Sequence, residues 1–389
     1  MKIAVVEFAG KGGLIHYAFQ LCRAMAREGA NVTLLTDTNY ELDALHHPFR
    51  LERLFHLWDP KPAGQSSPPS RFRFQRAIRA VLYYREWLRL IAFLKRERFD
   101  VVQFGDIRFP TDFYVIRQVR KHARIMADVC HNVRRFTGGG SFVASDRYER
   151  IYKLFDLVFL HHDVNRDEFL ARFPESDQRV RTIVHGNEEI FLELRDSSIT
   201  AAKVRERLGL EPDDQVVLFF GSLSAYKGID LLLDAFGGIA GQHPRARLIV
   251  AGPPLADFKL EHHPPRENVQ IVPSYIEAGE VAAWMEMAAV VVYPYREIHQ
   301  SGALQIALTL GAPVVATRVG ANAEVIRDGV SGLLVPPNDA GALGEAISRL
   351  LGDPGLTRRL GEGARATAEE TFAWRPIARQ MLEAYGSER

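Results

Sequence analysis

The sequence predicts an α/β fold of two doubly wound, parallel-sheet domains facing a central cleft, and three observations carry that prediction. The chain has 389 residues, enough for two domains at the usual size of about 100 to 200 residues each. Short apolar runs alternate with longer amphipathic segments, as βαβ units that feed a parallel sheet require. That alternation halts midway in a polar stretch and then begins again.

The first series opens with IAVVEF, continues through a helix to Arg27 and NVTLLT, and adds DVVQF, ARIMADV, DLVFL and RTIV as strands. A polar stretch from Leu192 to about Asp214 follows, and a domain boundary falls near residue 194. The second series is VVLFFG, ARLIVAG, VQIV, VVVYP, PVVAT and GLLV. The expected organisation is a first domain over 1–193, a second over 194–370, and a closing helix over 371–389. Trp374, Ile377, Met381 and Tyr385 stand at helical spacing in that last segment, and periodicity leaves open whether it packs on its own domain or crosses back.

Composition is that of a globular chain, with 47% hydrophobic and 25% charged residues. A formal net charge of +1 gives no argument for nucleic acid, so any useful field must be local. Two cysteines, Cys22 and Cys130, do not make a disulfide scaffold or a cysteine zinc site. No run approaches 18 uncharged apolar residues, and MKIAVVEF is a strand rather than a leader; a reducing cytoplasm is the expected location.

In open α/β sheets ligands bind beyond the carboxyl ends of the strands, so residues just after each apolar run are the informative ones. GKGGLIHYAF follows the first strand, and its Gly10, Gly12 and Gly13 permit close backbone approach ahead of a helix start; a tight turn explains them equally well. In GSLSAYKG, Lys227 precedes the helical run IDLLLDAF, where an ammonium can reach a phosphate or simply be solvated. In YPYREIHQSGALQIAL, Ser301, Gly302 and Ala303 begin a helix too apolar to be exposed, and its free N–H groups can hold an anion; Ser301 as a plain N-cap is the alternative. Glu324 is a candidate ribose or sugar contact, or an acid set against a helix dipole. His131 and Asn132, in VCHNVRRFTGGG, are rim donors for a sugar, with structural histidines as the commoner outcome there and at His161, His162 and His185. No HExxH or HxH spacing occurs, so no metal is expected.

Taken together and in order, GGLIHYAFQLCRAMAREGANVTLLT, the VCHN segment, RVRTIVHGNEEIF, VVLFFGSLSAYKGIDLLLDAF, LIVAG, HQSGALQIALTLGAPVVATRVGANAEVIRDGVSGLLVPP and FAWRPIARQMLEAY resemble the retaining GT-B glycosyltransferases of family 4 (glycosyltransferase group 1), in a QSG-containing subgroup. The resemblance covers nearly the whole chain. It implies the GT-B fold, two Rossmann-like domains, with a nucleotide-diphosphate sugar, UDP or GDP, as donor and no further cofactor. Carried over position by position, it makes Lys227 the cation for the donor pyrophosphate and His131 the histidine on the donor sugar. It places Gly12 and Gly13 in the loop beside the donor phosphate and the acceptor, and Ser301, Gly302 and Ala303 as backbone donors to the diphosphate. Arg296, Glu297, Gln300 and Glu324 are further candidate donor contacts. The sequence departs from the family at Ser222, where an arginine is usual, with Arg296 the candidate to compensate. Ile298 and Ile306 stand where a pair of glutamates is usual, and Glu297 and Gln305 have the right spacing one residue out of register, which on a helix is a turn of about 100°.

Residues 71–98 carry nine Arg or Lys against Glu86 and Glu97, interleaved with Ile78, Leu82, Trp87, Leu90, Ile91 and Leu94. Such a helix lies on an anionic membrane surface or packs normally with one solvated face. Its position on the acceptor side of the resemblance suggests a glycan or lipid-linked acceptor, with the protein peripheral on the inner face of the membrane. No stacking platform accompanies the charge, so nucleic acid is not an expected partner. The expected function is a metal-independent retaining hexosyltransferase of polysaccharide biosynthesis. The rivals are a sugar-nucleotide epimerase of the same shape and a non-catalytic sugar-nucleotide or glycan binding subunit.

Overall fold

The computed structural model describes residues 1–56, 69–105, 107, 109–133, 146–262 and 266–388, without the side chains of 69–77, 79, 146 and 147. Among these, the chain forms two compact units. The first takes the residues up to Val133, those from 146 to Val184, and Trp374 onward; the second runs from His185 to Ala373.

The first unit contains strands β1 (Lys2–Val6), β2 (Asn31–Asp37), β3 (Arg50–Phe55), β4 (Phe99–Phe104), β5 (Ala123–Cys130), β6 (Leu157–His161) and β7 (Val180–Ile183), with helices α1 (Gly13–Arg27), α2 (Pro69–Glu97), α3 (Phe113–Val119), α4 (Asp146–Tyr152) and α5 (Asp163–Arg172). All seven strands are parallel, in the order β3-β2-β1-β4-β5-β6-β7. Helices on both faces explain why strands such as LVFL in β6 are apolar throughout instead of alternating. The sequence reading lacks β3. RLERLF is an edge strand with one paired side, so its charged residues face water.

On α2, Trp87, Leu90 and Leu94 pack with Phe55, Phe99 and Phe104 in the core, and Ile91 lies against them. The apolar residues that made this helix look like a membrane face are therefore largely its inner side. The outer side keeps Ile78, Val81 and Leu88, which are 43%, 69% and 63% exposed.

The second unit contains α6 (Ile190–Glu193), α7 (Ala201–Arg207), β8 (Gln215–Phe220), α8 (Ile229–Ile239), β9 (Ala246–Ala251), β10 (Val269–Val272), α9 (Val281–Met287), β11 (Ala288–Tyr293), α10 (Gly302–Thr309), β12 (Val314–Thr317), α11 (Asn322–Val325), β13 (Leu333–Val335), α12 (Ala340–Gly352) and α13 (Pro354–Thr371). Its six parallel strands run β10-β9-β8-β11-β12-β13. The order reverses at β8 and β11, the topological switch point where ligands gather in such sheets.

The last helix, α14 (Trp374–Ser387), belongs to the first unit. Trp374 meets the ring of Tyr17 at 5.0 Å, and Tyr385 packs on Phe159 and donates its hydroxyl proton to Gln103. Arg375 and Arg379 each place Nε 2.6 Å from the Glu28 carboxylate, which their hydrogen bonds hold below the usual glutamate range.

Candidate functional site

In the second unit, chemistry collects where β8 and β11 end. Past β8 the chain makes a short turn, Ala225–Lys227, and Gly228 ends it at φ 66°. Only glycine fits there: a Cβ would lie 2.1 Å from the Pro294 carbonyl oxygen, and the left-handed backbone is strained for other residues. This close approach ties the β8 turn to the β11 turn. Arg296 strengthens the tie. Its N–H donates to Tyr226 O at 2.9 Å, and its guanidinium reaches Ala225 O at 3.0 Å and both Asp230 carboxylate oxygens at 2.8 and 2.7 Å. Arg296 thus braces the loop carrying Lys227, with its fork committed to Asp230.

Lys227 is 7% exposed, although its side chain ends in a charge. A Cβ added to Gly221 would lie 3.4 Å from Lys227 Nζ and 3.5 Å from Ala303 Cβ, so the ammonium sits beside the first turn of α10. The Tyr295 ring is 5.4 Å from Nζ. Burial pushes the Lys227 pKa down to about 8 with no opposing carboxylate to hold it up. Ser301 caps α10, its Oγ accepting from Leu304 N at 3.1 Å and lying 3.1 Å from the Tyr295 hydroxyl. Tyr293 donates to Ala303 O at 2.6 Å. The first N–H groups of a helix have no partner within it, so Gly302 and Ala303 present donors beside a buried cation. That combination suits a diphosphate.

Other residues named from the sequence fall around this centre. Glu297 and Gln300 are half-buried in the same loop, and Glu324 is exposed on α11. Ile298 and Ile306 are both 8% exposed, so each is core. Glu188 escaped the sequence reading. It is buried, its Oε1 lies 3.8 Å from the Cβ position of Gly302, and its N–H donates to Thr309 Oγ1 at 2.9 Å. The acids in HGNEEIF were its only signal.

In the first unit, Gly12 takes φ 87° as the N-cap of α1. Its N–H, which the sequence offers to a phosphate, donates to Glu41 Oε1 at 2.5 Å, and His16 Nε2 reaches the same oxygen at 2.7 Å. Among the described residues, and apart from the local chain itself, no atom lies within 4 Å of a Cβ added to Gly12 or to Gly13. His131 follows β5 and is 5% exposed; its Nδ1 is 3.3 Å from His161 Nε2, and Tyr17 sets its ring edge-on at 4.6 Å. The two histidine rings lie 5.0 Å apart, centre to centre, at 42°. Glu7, also missed, is buried just beyond β1. The glycine run at 138–140 lies outside the described residues.

Among the described residues, no three His, Cys, Asp or Glu side chains gather as a metal-binding group.

Comparison with known proteins fits this picture. The sucrose-phosphate synthase of Thermosynechococcus elongatus superposes with a TM-score of 0.71 at 23% identity, over 99% of this chain and 98% of that one. Anabaena HepE, solved with UDP-glucose, gives 0.68 at 19% identity over all of both chains. The fold is GT-B. Residues 214–353 match the family described as glycosyl transferases group 1, and the second unit carries a domain of that family. The D-inositol 3-phosphate glycosyltransferase of Streptomyces bingchenggensis is 32% identical over 250 residues, 61% of this chain and 54% of that protein. That of Acidothermus cellulolyticus is 33% identical over 287 residues, 70% of this chain and 60% of that one. The match thus spans little more than half the length of these relatives.

Proposed function

We propose that this chain is a retaining, metal-independent hexosyltransferase that moves a sugar from a nucleotide-diphosphate sugar to a hydroxyl of a glycan or lipid-linked acceptor. One observation carries the reading: Lys227 buries an ammonium without a compensating carboxylate beside the open N–H groups of α10. Such a site is costly when empty and is stabilised by an anion. During transfer, the bond from the sugar C1 to the β-phosphate oxygen breaks and negative charge grows on the diphosphate. Lys227 and the Gly302 and Ala303 amides stabilise that charge, as preorganised donors do for other leaving groups. The acceptor oxygen bonds to C1 on the same face, and its proton passes to the departing phosphate. UDP is the first nucleotide to try, because HepE was solved with UDP and with UDP-glucose.

The test is thermal unfolding with EDTA present against UDP-, GDP-, ADP- and TDP-sugars and the matching nucleosides. A rise with one diphosphate series and none with its nucleoside is the expected result, because a ligand that binds only the native state raises the midpoint. No rise with any diphosphate would sink the donor site and favour the non-catalytic subunit. Conversion of the sugar without nucleotide transfer to an acceptor would identify an epimerase.

A second proposal concerns location: a cytoplasmic protein resting on an anionic membrane through α2. Val81 and Leu88 are exposed on the side that also shows Arg85, Lys95 and Arg96, while the acids of that helix are withdrawn, Glu86 being wholly buried. Apolar side chains within a cationic face suit acidic lipid. Co-sedimentation with phosphatidylglycerol vesicles should fall in the double variant Val81→Ser, Leu88→Ser, and fail with phosphatidylcholine alone. Equal sedimentation of variant and wild type would remove the proposal.

A further inference from the structure

Two tyrosines stand two residues apart where β11 ends, and both reach the first turn of α10. Tyr293 and Tyr295 are wholly buried, with ring centres 5.5 Å apart. Tyr293 donates to Ala303 O at 2.6 Å, and the Tyr295 hydroxyl lies 3.1 Å from the Ser301 Oγ that caps the helix. Tyr295 has a second contact. Lys227 Nζ lies over its ring, 5.4 Å from the centre and inside the roughly 6 Å over which a π face attracts an ammonium. The Tyr226 ring, on the lysine's own turn, is farther away at 5.9 Å. The backbone of Tyr295 is pinned as well: Thr317 Oγ1 donates to its carbonyl oxygen at 2.5 Å, and Asn322 Nδ2 donates to the Thr317 carbonyl oxygen at 3.1 Å. The charged groups around the turn point to other partners. Arg296 is committed to Asp230, and Asp257, from the turn after β9, accepts from Ser224 Oγ at 2.5 Å and Ala225 N at 3.2 Å. Glu188 faces α10 from the Gly302 side, and Glu297 is half-buried in the loop before it. Burial pushes the pKa of the Tyr295 hydroxyl up and that of Tyr226 up to about 12, so both rings are neutral where Lys227 titrates.

We propose that Tyr295 is a positioning residue of the donor site: one side chain holds the start of α10 through Ser301 and the Lys227 ammonium over its ring, so that cation and helix amides face one anion together. A ring suits that task. A carboxylate in its place would pair with the ammonium and compete with phosphate, whereas a π face supports the charge without claiming its hydrogen-bond donors. This inference rests on the glycosyltransferase reading for its diphosphate, but the hold on Lys227 exists in the ligand-free protein.

The experiment follows the Lys227 titration by NMR of carbon-labelled lysine in the ligand-free full chain, its signal assigned by loss in Lys227→Arg. Tyr295→Phe keeps the ring and drops the hydroxyl; trifluorophenylalanine at the same position keeps the shape and drains the π face. Lys227 should titrate as in the wild type beside the plain ring, and lower by about half a pH unit or more beside the fluorinated one. A tyrosine with only a structural role would give the same titration in both. UDP affinity at neutral pH should fall about three- to tenfold in Tyr295→Phe, as loss of a neutral hydrogen bond does. An identical Lys227 titration beside the two rings, or full UDP affinity in Tyr295→Phe, would overturn the inference. If the wild type bound no UDP while the titration still followed the ring, the donor site would fall and the hold on Lys227 would stand.

Discussion

The two units answer the same local problem in opposite ways. In each, a parallel strand runs into a glycine turn and then the start of a helix, and that start carries partial positive charge. In the first unit the chain supplies its own anion: Glu41 accepts from the Gly12 N–H and meets His16, which closes the helix start electrostatically. In the second unit the start of α10 lies near a buried cation, Lys227, as well as the buried Glu188 carboxylate, and burial alone shifts the Lys227 pKa, with no carboxylate opposing it. A glycine turn before a helix therefore says where an anion can sit. Whether the chain itself provides one decides if the place is structural or receptive.

The largest effect that separates the two turns is expected at Lys227. Lys227→Ala should weaken UDP binding by about 10- to 100-fold, the range for a charged hydrogen bond, and leave uridine binding unchanged. Its signature is pH. With the Lys227 pKa near 8, UDP affinity should be level below that value and decline above it as the ammonium is lost; the alanine variant should show no such decline. The same shift makes the ligand-free protein gain stability as pH rises from about 8 toward the ordinary lysine value of about 10.4, because the unfolded chain holds that proton longer. Calorimetry across pH 7 to about 9.5 checks both signs, and a parallel decline in the variant would assign the titration elsewhere.

Smaller, and opposite in sense, is Glu41→Ala. Removing a largely buried acceptor from Gly12 N–H and His16 should cost about 1–3 kcal/mol of stability, measured by urea unfolding. It should also turn the first helix start into a receptive one, so that inorganic phosphate raises the thermal midpoint of the variant but not of the wild type. Equal phosphate responses would mean that Glu41 does not hold the anion place.

Much of the architecture was legible because parallel strands buried on both faces are written as continuous apolar runs. The inner strands of the second sheet carry that mark, as QVVLFF does, whereas VQIV at its edge is only half-buried, with Gln270 exposed. Edge strand β3 lacks it because water reaches its charges. The candidate site was legible one turn at a time. Lys227 and the Ser301 helix start each stood out locally, but their meeting over Gly221 is a property of the sheet order. One acid was hidden for the same reason: Glu41 closes a turn 29 residues before it. Arg296 showed the converse. Its charge was visible and its partner, Asp230, was not. On α2, spacing marked the apolar positions without saying which side would meet the core.

The placement of α14 sets an order of events during synthesis. Trp374, Ile377, Met381 and Tyr385 are all buried in the first unit, yet they follow the whole of the second unit in the chain. At ordinary elongation rates a ribosome needs about 10 to 40 s to pass from Val184 to that helix. Through that interval the earlier half waits with Tyr17, Gln103 and Phe159 uncovered, and the later half has its last residue, Ala373, before the helix that completes the earlier one is made. The unit that is translated first is therefore the one completed last, and a nascent chain stalled before residue 374 would offer chaperones an apolar face rather than a finished domain.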